Sequence, residues 1–284
     1  QGYSSAASDV YKRQTLTNEA DLSGAKVEGT TKLTVKNTAS IQNATLTGGV
    51  AAVDNHGEDS VMKDVTLTGS TITLTNEGTV ENGSYTAETG TMTVKNSGKL
   101  SAGAYTAKAG TMGIANEGTI ENGTYTAETD AMTITNRGKL SAGTYTAKAG
   151  TMDITNEGTI ENGTYTARGD LTYTDIAKSS LTDGTLISEE GKAKITAHGV
   201  LQIKKLSAKD SATVKADHDV TLTEAEAGTL AVSSGGSVKA DTLTATAGDA
   251  SVTAKTDVTI GTLNAKEHAE LTLSLIHISE PTRH

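Results

Sequence analysis

Residues 78–177 read GTVENGSYTAETGTMTVKNS, GKLSAGAYTAKAGTMGIANE, GTIENGTYTAETDAMTITNR, GKLSAGTYTAKAGTMDITNE and GTIENGTYTARGDLTYTDIA. These five blocks of twenty residues follow one another without a gap and are near copies. They begin at Gly78, Gly98, Gly118, Gly138 and Gly158. A unit this short cannot bury its apolar face alone, so successive units must stack and cover one another.

Each block contains three short segments with the alternation that is typical of strands. Thr91-Met92-Thr93-Val94 alternates threonine with an aliphatic residue, and Gly143–Ala147 places Tyr and Ala on one side and two threonines on the other. A third segment carries a single aliphatic residue, and glycines supply the corners. The pattern predicts an all-β protein, a single-stranded parallel β-helix (β-solenoid) whose ~20-residue coils pair at ~4.8 Å.

Stacking of such coils aligns equivalent residues in columns along the solenoid. We expect two structural columns. One is a ladder of hydrogen-bonded amides, and the other is a stack of tyrosines in the core or at a corner. Their members are Asn76, Asn96, Asn116, Asn136 and Asn156, and Tyr85, Tyr105, Tyr125, Tyr145 and Tyr165.

Charge follows a forty-residue period, twice the block length. Opposite charges therefore face each other on adjacent coils until the last step, where two cations meet. This column consists of Glu88, Lys108, Glu128, Lys148 and Arg168. Opposite charges across neighbouring strands stabilise one register and like charges oppose it. We interpret the alternation as a device that selects the stacking register.

The sequences on both sides of the blocks keep the same rhythm with more variation. Leu33–Gly49 and Val61–Gly78 repeat the order strand, Asn, strand, and Ala231–Ala245 matches Ser251–Ala265 at an offset of twenty residues. We therefore expect one solenoid domain over residues 15–272, with ~13 coils and a length of ~60 Å.

Both ends of the chain resemble foreign sequence. SSAASDVYKRQ (Ser4–Gln14) and LSLIHISEPTR (Leu273–Arg283) resemble in-frame translations of the two adapters of a transposase-type sequencing library. Segments of this origin are excluded from fold reasoning. We therefore expect residues 1–14 and 273–284 to be adapter-derived, and residues 15–272 to be a fragment of a longer protein.

Composition excludes two classes of partner. The 284-residue chain has a net charge of −10, 3% aromatic residues and no cysteine. An acidic chain without a basic stripe is a poor nucleic-acid binder. No apolar run approaches the ~20 residues of a membrane-spanning helix. We expect no nucleic-acid partner and no membrane insertion of this segment.

Two stretches carry a family resemblance. ITNEGTIENGTYTA (Ile154–Ala167) is similar to repeats of autotransporter passenger domains, and Ala212–Ala245 resembles filamentous-haemagglutinin-type adhesin repeats. The resemblance implies a right-handed β-helix that is secreted or displayed at the Gram-negative outer membrane, as a stalk or adhesin. It also implies a transporter or translocator barrel outside this fragment. The surface partners would be host glycan, matrix or a sister molecule.

The sequence shows no recognisable catalytic or metal-binding motif. Nucleophile elbow, P-loop, zinc spacing and GGxGxD calcium repeats are all missing from it. His198, Asp217, His218 and Asp219 form the best candidate cluster, which we interpret as a solvated turn. We therefore predict no catalytic, cofactor-binding or metal-binding residues, no cofactor and no enzymatic activity.

Two alternative functions remain open. The first is a β-helical carbohydrate-active enzyme whose site lies outside the repeats or in the irregular region Asp175–Gly191. The second is ice binding by a T-x-T array, formed by the pairs Thr124/Thr126, Thr144/Thr146 and Thr164/Thr166. Ser84 and Ala104 interrupt that array, a tyrosine between the threonines is unusual for it, and threonine suits any exposed strand face. The Asn-Gly-Ser/Thr triplets at Asn82, Asn122 and Asn162 are interpreted as corners.

Overall fold

The computed structural model describes residues 12–176 and 178–274, and every regular element in these ranges is a β-strand. The strands are β1 Arg13–Asn18, β2 Leu22–Ser23, β3 Lys26–Asn37, β4 Ser40–Gln42, β5 Thr45–Asn55, β6 Val61–Lys63, β7 Thr66–Asn76, β8 Thr79–Glu81, β9 Ser84–Ala87, β10 Met92–Asn96, β11 Lys99–Ser101, β12 Ala104–Ala107, β13 Met112–Asn116, β14 Thr119–Glu121, β15 Thr124–Ala127, β16 Met132–Asn136, β17 Lys139–Ser141, β18 Thr144–Ala147, β19 Met152–Asn156, β20 Thr159–Glu161, β21 Thr164–Ala167, β22 Leu171–Asp175, β23 Ser180–Ser188, β24 Ala193–Ala197, β25 Val200–Ala216, β26 Val220–Ser234, β27 Val238–Ala245, β28 Ala250–Ala254, β29 Val258–Ala265 and β30 Ala269–Leu273.

Three strands make one coil in the repeated block. β10, β11 and β12 pair in parallel with β13, β14 and β15, so each residue faces the residue twenty positions later. The pairs Met92–Met112 and Tyr105–Tyr125 illustrate this register. The predicted all-β solenoid with ~20-residue coils is confirmed, with about 13 turns.

Strand alternation divides each coil into a core side and a solvent side. In β13, Met112, Ile114 and Asn116 are buried, whereas the residues between them are half-buried or exposed. In β12 the ring of Tyr105 and the methyl of Ala107 are buried. Burying one large aliphatic side chain contributes roughly 1.5–3 kcal/mol, so inward columns of this kind stabilise the whole stack.

In the repeated block, the corner before each short strand requires glycine because the backbones of adjacent coils approach closely there. A Cβ added at Gly118 would lie 2.1 Å from the carbonyl oxygen of Gly98, well inside van der Waals contact. The same contact recurs one coil later between Gly138 and Gly118. The repeated glycine therefore sets the coil-to-coil distance at this corner.

The C-terminal coils are less regular than the repeated block. β25 and β26 run for 17 and 15 residues, continuing through positions where the central coils have corners. Register shifts accompany the change, between Leu181 and Gly184 and between Ala208 and Ser211. The stacking continues across these shifts as far as β30.

The described strands extend slightly beyond the expected solenoid boundaries. β1 begins at Arg13 and β30 ends at Leu273, whereas the solenoid was predicted over residues 15–272. Most of the two segments predicted to be adapter-derived lies outside the described residues. Within the described ranges, no helix is long and apolar enough to cross a membrane.

Candidate functional site

The five asparagines predicted to form a column are buried at the ends of β7, β10, β13, β16 and β19. Each side-chain Nδ2 donates to the Oδ1 of the next asparagine at 2.8 Å. The same nitrogen also reaches backbone carbonyls of the corner. For Asn96 these are the oxygens of Gly98 at 3.0 Å and Thr119 at 3.1 Å. The backbone N–H of Thr119 already donates to the Gly98 oxygen, so the ladder adds a second hydrogen bond to this corner carbonyl.

The ladder is longer than the sequence analysis proposed. Asn18, Asn37 and Asn55 extend it toward the N-terminus, and each successive link, including the one to Asn76, measures 2.7 Å. Every bond points the same way along the solenoid. Aligned amide bonds polarise one another, so the column strengthens cooperatively.

The ladder ends on a buried carboxylate that sequence reasoning missed. Asn156 Nδ2 donates to the hydroxyl of Tyr173 at 3.1 Å, and this hydroxyl donates to Asp175 Oδ2 at 3.1 Å. The other oxygen of Asp175 accepts the backbone N–H groups of His198 and Gly199. Burial, followed by the neighbouring carboxylate, raises the pKa of Tyr173, which keeps the hydroxyl protonated as a donor. The signal was present in the sequence, because Asp175 occupies the asparagine position of its coil.

The five column tyrosines form one continuous ring stack inside the core. Adjacent ring centroids are 4.7–4.9 Å apart, and the ring planes differ by 3–7°. Their hydroxyl oxygens have no hydrogen-bond partner in the described structure. Burial raises the pKa of each of these phenols well above its ordinary value.

A glycine two residues before each tyrosine makes room for the ring. A Cβ added at Gly123 would lie 2.6 Å from Cε2 of Tyr125. In the preceding coils a leucine replaces the tyrosine, and the position two residues earlier then carries a side chain: Ala44 before Leu46 and Val65 before Leu67. A larger side chain at one of the two positions is therefore accompanied by a smaller one at the other, and the core remains filled.

The charged column forms ion pairs between coils. Lys108 Nζ lies 2.8 Å from Glu88 Oε2, and Lys148 Nζ lies 3.1 Å from Glu128 Oε1. At the final step, where Lys148 and Arg168 bring like charges together, Arg168 Nε instead pairs with Glu190 at 2.9 Å. All these side chains are exposed, so the pairs favour one register and add little stability.

A second set of ion pairs runs diagonally between coils and was not anticipated. Lys99 Nζ lies 2.5 Å from Glu121 Oε1, and Lys139 Nζ lies 2.8 Å from Glu161 Oε2. The hydrogen bond that Lys99 donates to Glu121, followed by the charge of Glu121, raises the pKa of Lys99. Column alignment alone pairs Lys99 with Thr119, so the long lysine side chain had to be considered to find the contact.

The residues of the Asn-Gly triplets lie at corners, where the backbone is left-handed. Asn82, Asn122 and Asn162 have φ values of 51°, 54° and 52°. Ala102 and Ala142 occupy the same position in the intervening coils with a φ of 50°. Asparagine tolerates this region better than alanine, which explains its use at the corner.

The candidate cluster of His198, Asp217, His218 and Asp219 is only partly brought together. His198 Nδ1 lies 2.7 Å from Asp217 Oδ2, and this contact lowers the pKa of Asp217. Asp219 instead accepts the backbone N–H of Ser237 at 2.6 Å, which lowers the pKa of Asp219. His198, His218 and Asp219 line an open groove of about 620 Å³ beside Ser179 and Ser180. Open pockets of comparable size also lie beside Ser188 and Glu226 and beside Lys36 and His56.

Near the C-terminal end, three exposed side chains offer possible metal ligands. Ligand atoms of Asp249, Glu267 and His268 lie within 4.8 Å of one another. His268 is already paired with Asp249, through Nδ1 at 3.0 Å and through its backbone N–H at 3.0 Å. A carboxylate that accepts a backbone N–H from the next coil also occurs at Asp170 and Asp219. The arrangement is explained as a turn contact.

Comparison with known proteins gives no match: no family model, no curated protein and no solved structure is significantly similar to this chain. The proposed function therefore rests on the filled core, on the columns of equivalent outward residues and on the shallow, open pockets of the exterior.

Proposed function

We propose that this chain is a structural or adhesive segment of a secreted bacterial surface protein, and that it acts as a rigid stalk whose exterior makes multivalent contacts. The observation that carries the proposal is the uninterrupted stack of coils, in which equivalent outward residues recur from coil to coil in register. Weak patches repeated along a rigid support gain avidity without a deep pocket.

The internal columns support the mechanical part of this proposal. The amide ladder and the tyrosine stack each connect successive coils, in addition to the backbone hydrogen bonds between strands. A filament held together by three parallel sets of contacts resists bending at a single coil. Rigidity keeps repeated patches at fixed spacing, so multivalent binding loses little conformational entropy.

The proposed cellular location follows from the resemblance to autotransporter passenger domains and filamentous-haemagglutinin-type adhesins. We place the protein outside the cell or at the Gram-negative outer membrane, exported by a transporter or translocator barrel that this segment does not include. Host glycan, matrix or a sister molecule would be the partner. Recovery of the complete gene tests this setting, since an encoded barrel or a neighbouring transporter gene is expected and the lack of both would contradict it.

Removal of one forty-residue period tests the stalk. Deleting residues 98–137 joins blocks of matching register, and we expect the maximum dimension from X-ray scattering to fall by ~10 Å. Binding to a glycan or matrix surface should fall more than in proportion to the coils removed. A shortened chain with unchanged dimensions would contradict the stalk, and a proportional loss of binding would contradict multivalency.

The carbohydrate-active enzyme is a second candidate, supported only by the open groove beside His198. Glycoside hydrolysis ordinarily uses two carboxyl groups across the scissile bond. Asp219 is the one carboxylate among the residues that line this groove, and it accepts a hydrogen bond from the backbone N–H of Ser237. Our proposal therefore assigns the repeats no catalytic role. A glycan-degradation screen with the Asp219→Asn variant as control checks this, and turnover that depends on Asp219 would overturn it.

A further inference from the structure

One face of the solenoid presents two straight outward columns over eight consecutive coils, which we call the threonine face. Its strands pair in register from Thr45 to Thr166, without a shift. All its positions are threonine except Ser84, Ala104 and Ile187. The columns are Thr45, Thr66, Ser84, Ala104, Thr124, Thr144, Thr164 and Thr185, and Thr47, Thr68, Thr86, Thr106, Thr126, Thr146, Thr166 and Ile187.

The threonine face carries no charged residue, although the chain has a net charge of −10. The other two faces of the same coils do carry charge. Lys95 and Asp153 lie on the long-strand face, and Lys99 and Glu121 lie on the short-strand face. The uncharged patch is bounded by charge. The column two residues after the second threonine column carries Glu88, Lys108, Glu128, Lys148 and Arg168, and the threonine columns continue into Lys26, Glu28 and Lys205 at their ends. A neutral patch within charged borders favours a neutral partner.

The first column of the face is largely exposed and the second is largely half-buried, and the hydroxyl groups of both are not used within the protein. In the described residues, none of its threonine or serine hydroxyls makes a hydrogen bond to another group. The tyrosine between each pair of threonines points into the core, where Tyr125 and Tyr145 are fully buried. A tyrosine between the threonines is unusual for such an array, but its buried ring does not reach the surface and leaves the two columns intact.

The spacing of the array is regular in two directions. Hydroxyl groups repeat at ~4.8 Å from coil to coil and at ~6.7 Å along each strand. These distances are comparable with the oxygen repeats in the lattice of ice. Because the stacked tyrosines and the amide ladder hold the coils in place, the array is ordered before any partner arrives.

We propose that the threonine face binds the surface of ice. Hydroxyl groups at fixed positions bond to lattice water, and the threonine methyl groups lie between them. Each contact is weak, and affinity arises because many contacts form together on a rigid support. This site is independent of the stalk function, since an isolated solenoid suffices for it.

A second copy of the chain fits the face less well. The array is ~34 Å long and one strand of ~13 Å wide, so a face-to-face dimer would bury about 450 Å² per partner. Stable interfaces bury about 800 Å² per partner and have an apolar centre. The threonine face is polar and too small for that role.

Thermal hysteresis of the full chain, measured in a nanolitre osmometer, tests the proposal. We expect hysteresis that rises with protein concentration, together with faceted ice crystals. The paired substitution Thr126→Lys and Thr146→Lys should abolish both, because two cations then project from the centre of the face. Thr133→Lys with Thr135→Lys is the matched control: it places the same charges on the long-strand face of one coil and should leave hysteresis unchanged.

Circular dichroism and the urea midpoint establish that each variant is folded. A second pair of substitutions, Ser84→Thr with Ala104→Thr, tests the proposal by a gain of activity, which a misfolded variant could not produce. This pair completes the array and should raise hysteresis. The absence of hysteresis from the folded wild-type chain would overturn the proposal. Equal loss in both lysine pairs would also overturn it, as would concentration-dependent dimerisation abolished by the face variant alone.

Discussion

The central coils and the C-terminal coils fill equivalent inward positions with different side chains. In the central block one inward column is asparagine and another is tyrosine, as at Asn116 and Tyr125. In the C-terminal coils most of the corresponding positions are aliphatic, as at Ala216 and Leu243, with the buried Ser234 as a polar exception. The N-terminal coils are intermediate, since they keep the amide ladder and have leucine instead of tyrosine, as at Leu67.

This difference shows that neither column is required to form a solenoid. Inward aliphatic residues and parallel backbone pairing suffice in the C-terminal coils. The polar ladder and the ring stack add discrimination, because a slipped coil would place an amide against aliphatic side chains and leave it unpaired. We interpret the central block as the part of the molecule with the most strongly specified register.

High pH should reveal the largest difference in stability between the central block and the C-terminal coils. Burial raises the pKa of the five stacked tyrosines, so the folded block keeps their protons above pH 10, where an unfolded chain releases them. Stability is complete below pH 10 and falls by ~1.4 kcal/mol per tyrosine per pH unit above it. Absorbance at 295 nm should therefore rise together with loss of strand signal. Because Tyr3 and Tyr11 lie outside the stack, an absorbance change near pH 10 that corresponds to more than two of the eight tyrosines, with the fold intact, would contradict the buried stack.

Interrupting the ladder should have the next largest effect. Asn116→Ala leaves Asn96 without its acceptor and Asn136 without its donor, both of them buried. We expect the free energy of unfolding in urea to fall by about 3 kcal/mol or more. The control Thr135→Ala alters an outward residue and should change it by less than ~0.5 kcal/mol. Similar losses in the two variants would show that the ladder is not stabilising.

Converting a tyrosine coil into a leucine coil sharpens the comparison further. Gly123→Val alone drives a side chain into the ring of Tyr125 and should cost ~2 to 3 kcal/mol. Adding Tyr125→Leu recreates the combination found at Val65 and Leu67 and should restore part of that loss. A double-mutant cycle measures the coupling. A double variant no more stable than Gly123→Val would refute the volume exchange.

The smallest expected changes in the free energy of unfolding come from removing one tyrosine hydroxyl at a time. At the two positions chosen, these changes should have opposite signs. Tyr125→Phe removes a buried hydroxyl without a partner and should stabilise the chain by about 1 kcal/mol. Tyr173→Phe removes the hydroxyl that joins Asn156 to Asp175 and should destabilise it by a similar amount. Urea midpoints of both variants decide the matter. Changes of the same sign would mean that the two hydroxyls have equivalent surroundings.

Much of the fold could be predicted from the sequence because the repeat aligns its own residues. Period-two alternation identifies the strands, and the twenty-residue offset gives the register, as at Met92 and Met112. The columns follow from that register alone. Departures from the repeat were harder to interpret, because no second copy shows what to expect at Asp175 or at the long strand β25.

Side-chain reach was the other limit of sequence reasoning. The diagonal contact of Lys99 with Glu121 depends on a long, flexible side chain that alignment of columns does not represent. For the threonine face, the sequence left open whether the tyrosines lie in the core or at a corner. Alternation does place Tyr125 opposite to Thr124 and Thr126, yet only the assembled core shows that the ring leaves the surface free.

Distances between coils test the central claim most directly. The chain has no cysteine, so two introduced cysteines accept spin labels without interference. We expect pulsed electron resonance to give ~19 Å for Thr47→Cys with Thr126→Cys, four coils apart, and ~29 Å for Thr47→Cys with Thr166→Cys, six coils apart. A linear increase of ~4.8 Å per coil is the result predicted by stacking along one axis. Broad distributions, or distances that do not grow with the number of coils, would contradict it.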